Sequence, residues 1–283
     1  IKAGTELWCQ GYSEPDAGSD LANLSTRAER DGDGWTLHGQ KVWTSLAQWS
    51  HWCFVLARTD RDAPKHRGIT FFMVPMDQPG IEIRPIRQVT GTAEFNEVFF
   101  EGARATDADV IGGVNEGWKV AMGLLAFERG ASTLGQQLAF RNELDAVVAG
   151  LRANGRLTEP AIRQRVVRLH AELEIMRWNT LRVLSTTADT PREALITKLY
   201  WASWHRTLGE LAVDVVGAPA LLGPDSTTEG VPNDIYDPEH VELGLWQRQL
   251  LFTRADTIYG GSNEVQRNII AERVLGLPRE ARP

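Results

Sequence analysis

Tyr12-Ser-Glu-Pro-Asp-Ala-Gly-Ser-Asp20 is followed about twenty residues later by Gly39-Gln-Lys-Val-Trp-Thr-Ser45. Taken singly, the first reads as a turn and the second as a strand. Their surroundings are β-like. Thr26-Arg-Ala-Glu-Arg and Trp35-Thr-Leu-His flank Asp31-Gly-Asp-Gly34, a turn cluster suited to a hairpin. Trp52-Cys-Phe-Val-Leu-Ala57, Ile69-Thr-Phe-Phe-Met-Val74 and Glu94-Phe-Asn-Glu-Val-Phe-Phe100 are short apolar runs of strand-forming residues. Charged or Pro/Gly segments separate them, so residues 1–105 read as an all-β, barrel-like domain.

After residue 106 the period changes. Trp118, Ala121, Leu125 and Glu128 share one face at helical spacing, with Asn115 as the expected N-cap. Helical segments are expected over 116–153, 159–187, 191–216 and 243–275. Gly150, Gly155, Pro191 and Pro219 punctuate them, and Gly276 and Pro278 end the last. The expected class is therefore α+β. An all-β barrel-like domain precedes a four-helix bundle over 106–283 that supplies the oligomer interface.

The chain has 283 residues, 42% of them hydrophobic and 24% charged, with a net charge of −7. That surface repels phosphate backbones and anionic lipid, so neither nucleic acid nor membrane is the expected partner. No apolar run is long enough to span a bilayer and no signal peptide is visible at Ile1. The two cysteines, Cys9 and Cys53, form neither a disulfide framework nor a metal motif. These features together read as cytoplasmic.

Four motifs carry a family resemblance. Ser13-Glu-Pro-Asp-Ala-Gly-Ser-Asp20 and Gly39-Gln-Lys-Val-Trp-Thr-Ser45 are the first two. Asn115-Glu-Gly-Trp-Lys-Val-Ala-Met122 and Tyr259-Gly-Gly-Ser-Asn-Glu-Val-Gln-Arg267 are the others. In this order they resemble the acyl-CoA dehydrogenase family, in its middle and C-terminal domains. The family's helical front domain is not in this sequence. The resemblance implies bound FAD, an acyl-CoA substrate, an electron-transferring flavoprotein as electron acceptor, and a dimer-of-dimers assembly. It places Tyr12, Ser13, Ser19, Trp43, Thr44 and Ser45 at the cofactor. Ser13 would meet the pyrimidine side of the ring, Trp43 its face and Ser45 the N5 edge. Ser19, Arg129, Tyr259 and Gly260 would lie at the substrate.

The reaction needs a base for the α-proton of a thioester. Many members use the Glu of Tyr-Glu-Gly-Thr, but that position here is Gly260, which has no side chain. A second family arrangement carries the Glu on the first C-terminal helix, as in isovaleryl- and long-chain-type members and some sterol-side-chain members. Ala126-Phe-Glu-Arg-Gly130 fits it, which makes Glu128 the expected base. A carboxylate on an inward stripe has a raised pKa, as a general base requires. The same Glu also fits a rim ion pair with an arginine. Gly260 keeps its backbone N–H, a donor typically worth about 10²–10³ in rate at a developing oxyanion.

Two departures remain. The Arg-x-x-Phe-Gly segment by which a neighbouring subunit holds the FAD pyrophosphate is absent from Leu151-Arg-Ala-Asn-Gly-Arg-Leu-Thr-Glu-Pro160, leaving Arg152 or Arg156 as substitutes. Gln-Ile-Leu-Gly-Gly becomes Asp214-Val-Val-Gly-Ala218, which sets a carboxylate against a pyrophosphate. A homo-oligomer with a reworked site and a heterotetramer with an unlike partner both accommodate this. A flavin oxidase or monooxygenase, a non-catalytic subunit and a nucleic-acid-binding relative are the other readings. Trp201-Ala-Ser-Trp-His205 reads as core or subunit interface, with His205 a lone histidine and no metal site expected.

Overall fold

The computed structural model describes residues 3–128, 132–186, 192–218, 220 and 241–279; the side chains at 126–128, 132–133 and 241–243 lie outside that set. The packing divides the chain between Leu125 and Ala126.

The first unit holds β1 (Trp8–Gly11), β2 (Arg27–Asp31), β3 (Gly34–Ser45), β4 (Trp52–Arg58), β5 (Ile69–Pro75), β6 (Ile81–Ile86), β7 (Phe95–Thr106) and β8 (Val110–Ile111). They form one sheet in the order β6-β7-β3-β2-β4-β5-β8, with β1 parallel to β4. The β2–β3 hairpin pairs Asp31 with Gly34 across the expected turn. Strands β1, β6 and β8 extend the sheet beyond the sequence expectation.

Period-2 alternation gives the sheet two apolar faces. Cys53, Val55 and Ala57 of β4 join Phe72 and Val74 of β5 in one core with Trp35, Leu37, Val98 and Phe100. Trp35 of β3 meets Phe72 of β5 edge-on at 5.5 Å, although β2 and β4 lie between those strands, so the sheet curls around this core. Each fully buried large side chain there contributes about 1.5–3 kcal/mol by leaving water. The alternate residues, Leu56, Ile69 and Phe71, form a second core with Tyr12, Leu24 and Ala121.

Ala121 belongs to α1 (Gly117–Glu128), whose Trp118, Leu124 and Leu125 cover that second face. For this reason the β unit ends at Leu125 rather than at 105: the first turns of α1 are part of its core. Asn115 is not the helix cap. It sits in a left-handed turn at φ 67, and its side chain accepts a hydrogen bond from the Thr59 hydroxyl at 2.6 Å. Gly117 starts the helix hard against β5. A Cβ there would lie 2.3 Å from the Phe71 nitrogen.

The second unit is helical. α2 (Ser132–Ala153), α3 (Pro160–Ser185), α4 (Thr197–Val216) and α5 (Val241–Asp256) surround a core at i, i+3, i+4 spacing. Phe140, Leu144, Val147 and Leu151 of α2 meet Leu169, Leu173 and Met176 of α3 and Trp204, Leu208 and Leu211 of α4, with Trp246 of α5 against them. The expected helix over 243–275 is broken. α5 stops at Asp256, and α6 (Asn263–Ile269) continues into a π-turn over Ile270–Val274. Gly260 and Gly261, at φ 63 and 86, turn the chain left-handed between them. The Ser262 hydroxyl then caps α6 by accepting from the Val265 N–H.

Gly117→Ala is expected to lower stability by about 1–3 kcal/mol through overpacking against the β5 backbone. Urea denaturation checks it; an unchanged midpoint would refute the close-approach account.

Candidate active site

The residues expected from the sequence at the site are divided between the two units, each holding its own set. In the β unit, β1 delivers the chain at Gly11 into Tyr12 and Ser13, and a tight turn follows in which Glu14 and Ala17 exchange backbone hydrogen bonds at 3.1 Å. Lys41 of β3 reaches across to this turn. Its Nζ, with no exposed side-chain surface, donates to Glu14 Oε1 at 2.7 Å and to the Tyr12 carbonyl at 3.1 Å. The Ser25 N–H and hydroxyl complete Glu14 at 2.6 and 2.8 Å, and the Thr26 N–H adds a third donor at 3.0 Å. Burial alone would raise the Glu14 pKa; the Lys41 charge and hydrogen bond reverse this and hold it at about 2. The Glu and Lys of the two sequence motifs are therefore each other's partners.

This lock sets the geometry beyond it. The Val42 N–H donates to the Ser13 carbonyl at 2.9 Å, so Ser13 and the Trp43 segment are neighbours. The β3–β7 register slips between Lys41 and Thr44, and Trp43 occupies the bulge at φ 61. A bulky residue in that backbone state is strained, and strain of this kind collects at functional sites. The indole is 58% exposed and touches Phe95 edge-on at 6.3 Å. Next to it the Thr44 hydroxyl is buried and has no hydrogen-bond partner among the described residues. Ser45 and Ser19 are exposed, Ser19 on the turn beyond Ala17. Tyr12 is a core residue by its ring, which packs edge-on against Phe54 and Phe71.

In the helical unit the Tyr259–Gly260 turn is held from both sides. The Gln266 amide donates to the carbonyls of Gly260 and Gly261 at 3.2 and 3.4 Å. The Tyr259 hydroxyl donates to the Asp256 carboxylate. No group among the described residues accepts the Gly260 N–H. His205, read from sequence as solitary, lies between Asp256 Oδ2 at 2.6 Å and Glu143 Oε2 at 2.7 Å. Those partners are 51 and 62 residues distant in sequence, so no local spacing signals them. Asp214 is also paired. Its carboxylate takes Arg165 at 2.6 Å and Arg156 at 3.2 Å, so it does not stand as a bare charge. Glu128 closes α1, and its side chain, like the whole of Arg129, lies outside the described residues.

The middle-domain model of acyl-CoA dehydrogenases matches residues 9–103, and the C-terminal-domain model matches residues 115–275. The chain belongs to the acyl-CoA dehydrogenase family. Family members are oxidoreductases acting on acyl-CoA, and FAD is their cofactor. Acyl-CoA dehydrogenase IpdE1 of Mycobacterium tuberculosis is 56% identical over 284 residues, spanning all of this chain and 70% of that protein. The IpdE1 of Mycolicibacterium smegmatis is 51% identical over 98% of this chain and 69% of its own length. Among solved structures, the Tcur3481-Tcur3483 steroid acyl-CoA dehydrogenase superposes with a TM-score of 0.83 at 33% identity, over 98% of this chain and 70% of that one. The ChsE4-ChsE5 complex of Mycobacterium tuberculosis gives 0.80 at 29% identity, over 98% and 71%. Among the described residues no helix is long and apolar enough to cross a membrane, and no cluster of His, Cys, Asp and Glu could hold a metal ion.

Glu14→Gln is expected to cost about 3–5 kcal/mol, because it leaves the Lys41 charge buried without a counterion. The folded pKa of Glu14, about 2, lies below its ordinary 4.5. The stability it contributes is thus complete above pH 4.5 and lost as pH falls towards 2. Acid unfolding followed by circular dichroism should lose that dependence in the variant; an identical acid limb would remove the assignment.

Proposed function

We propose that this chain catalyses α,β-dehydrogenation of an acyl-CoA to the trans-2-enoyl-CoA. The observation that carries the reading is Trp43, an exposed indole on strained left-handed backbone, held by the buried Lys41–Glu14 pair beside Ser13. A planar apolar face next to an unpartnered buried hydroxyl suits a flat heteroaromatic ring with a polar edge, and so fits the flavin of FAD. Trp43 would cover the ring, while Ser13, Thr44 and Ser45 meet its polar rim, with Tyr12 setting the segment from below. Bound there, FAD would supply the two-electron acceptor for the β-hydride. Glu128 accepts the α-proton. The Gly260 N–H, which has no acceptor among the described residues, donates to the thioester oxygen as negative charge develops there. Tyr259, Ser19 and Arg129 flank the acyl-CoA chain.

A second reading concerns assembly. Of the two arginines expected as substitutes at the pyrophosphate, Arg156 is engaged with Asp214 and Glu159, while Arg152 is exposed on the last turn of α2. The similar Tcur3481-Tcur3483 and ChsE4-ChsE5 structures are complexes of unlike chains. We infer that this chain is one half of a heteromeric dehydrogenase whose partner supplies the missing grip on FAD. Its substrate would be a steroid-type CoA ester, for which Gly260 leaves room beside the thioester. It would work in the cytoplasm and pass electrons to an electron-transferring flavoprotein. An oxidase or monooxygenase would instead show rapid reoxidation of the reduced flavin by oxygen.

Glu128→Gln is expected to keep its flavin but lose bleaching by acyl-CoA under anaerobic conditions. Retained bleaching in that variant removes the base assignment. Trp43→Ala should lower flavin occupancy, read from the ratio of visible to ultraviolet absorbance; full occupancy would argue against the ring contact. FAD content per chain should rise when an unlike partner is co-expressed, and equal content alone would favour a homo-oligomer.

A further inference from the structure

The bundle contains a charged network that is buried at His205 and Asp256 and partly open to solvent at Glu143. Lys198 and His205 of α4, Glu143 of α2, and Gln249 and Asp256 of α5 converge there with Tyr259. His205 gives one ring nitrogen to Asp256 and the other to Glu143, so both nitrogens donate and the ring is an imidazolium. Phe140 packs on it at 4.5 Å between ring centroids and Trp204 stacks parallel at 6.3 Å, which fixes its plane. Gln249 supports Glu143 at 2.8 Å. The second oxygen of Asp256 accepts from the Tyr259 hydroxyl, and Lys198 donates to the Asp256 carbonyl. The Lys198 ammonium also lies 5.1 Å from the Trp201 ring centre and 5.4 Å from that of Tyr259.

Asp256 therefore has a cation on one side and the Tyr259–Gly260 turn on the other. On its Asp256 side the network is buried, and a satisfied polar network in that setting has a sharply preferred geometry. Left to itself, a Gly-Gly pair such as Gly260-Gly261 is highly pliable. Something must hold it in one conformation if its N–H is to be aimed.

We propose that His205 is a positioning residue which, through Asp256, fixes the Tyr259–Gly260 turn in the conformation that presents the Gly260 N–H. This rests on the reading of Gly260 as the thioester donor given above. Loss of the imidazolium proton would set a lone pair against a carboxylate and loosen the turn. Burial alone would lower the His205 pKa; hydrogen bonds and charge from Asp256 and Glu143 raise it to about 9. The raised value means this stabilisation is complete below pH 6.5 and is lost as pH rises through about 9. The groups facing His205 are Asp256, Glu143 and, behind them, Tyr259 and Lys198, all charged or hydrogen-bonded within the network.

Hydrogen exchange of the peptide over 257–264, read by mass spectrometry, reports the turn directly. The amides of Ile258, Tyr259 and Asn263 are hydrogen-bonded there. In the unaltered flavoprotein, exchange corrected for intrinsic rate should accelerate above pH 9, while a peptide from α3 stays unchanged. His205→Gln should show the faster exchange already at pH 7, by about tenfold, the equivalent of one charge-assisted hydrogen bond. Its kcat should fall by about ten- to a hundredfold with flavin content retained, and the alkaline limb of its rate profile should disappear. Tyr259→Phe, which cuts only the last link, should reproduce the faster exchange and covers the case in which His205→Gln does not fold. Turn protection unaltered by pH and by either variant overturns the proposal. Faster exchange with undiminished turnover upholds the positioning and sinks the donor role of Gly260 instead.

Discussion

Lys41 carries a positive charge on a side chain with no exposed surface, and much of the β unit's site follows from how that charge is met. Glu14 supplies the counterion, the Tyr12 carbonyl a second acceptor, and Ser25 and Thr26 saturate the remaining carboxylate positions. Replacing such a pair with apolar side chains is often neutral for stability, so its worth is geometric. It fastens a turn to a strand 27 residues further along, and only one register satisfies every donor. The bulge at Trp43 comes two residues after Lys41. A strained aromatic survives in that position because the strand before it cannot slide.

The helical unit solves a related problem by different means. Its turn at Tyr259–Gly261 interrupts what would otherwise be continuous helix. Gln266 reaches back from α6 to the turn carbonyls, and Asp256 reaches forward from the end of α5. Both side chains belong to the helices that the turn separates, so its conformation is tied to their ends. In each unit a flexible or strained segment is backed by buried polar groups whose hydrogen bonds are satisfied nearby.

The sequence displayed the motifs, the class of each half and most strands, because these are written in local periodicity and turn chemistry. Partnerships were harder to see. Glu14 passes for a turn residue until Lys41 is found against it, and His205 passes for a solitary ring until the bundle brings Glu143 and Asp256 together. Strand β6 was hidden by Pro85, which argues against a strand unless it lies at an edge, where β6 does lie. The expected helix over 243–275 ran across Gly260 and Gly261, whose left-handed backbone breaks it between α5 and α6. Asn115 had the right residue type for a cap, but its carboxamide was already engaged by Thr59.

Gly260 lies at a φ where any β-carbon costs about 1–2 kcal/mol. The nearest atom to such a carbon is Lys198 Cε at 3.6 Å, so space alone would admit one. Placing an acid at this position would meet torsional resistance first and would set a carboxylate beside the Lys198 side chain, which the Asp256 carbonyl already engages. A turn-borne acid is therefore not a matter of one side chain: the left-handed backbone of the turn stands against it.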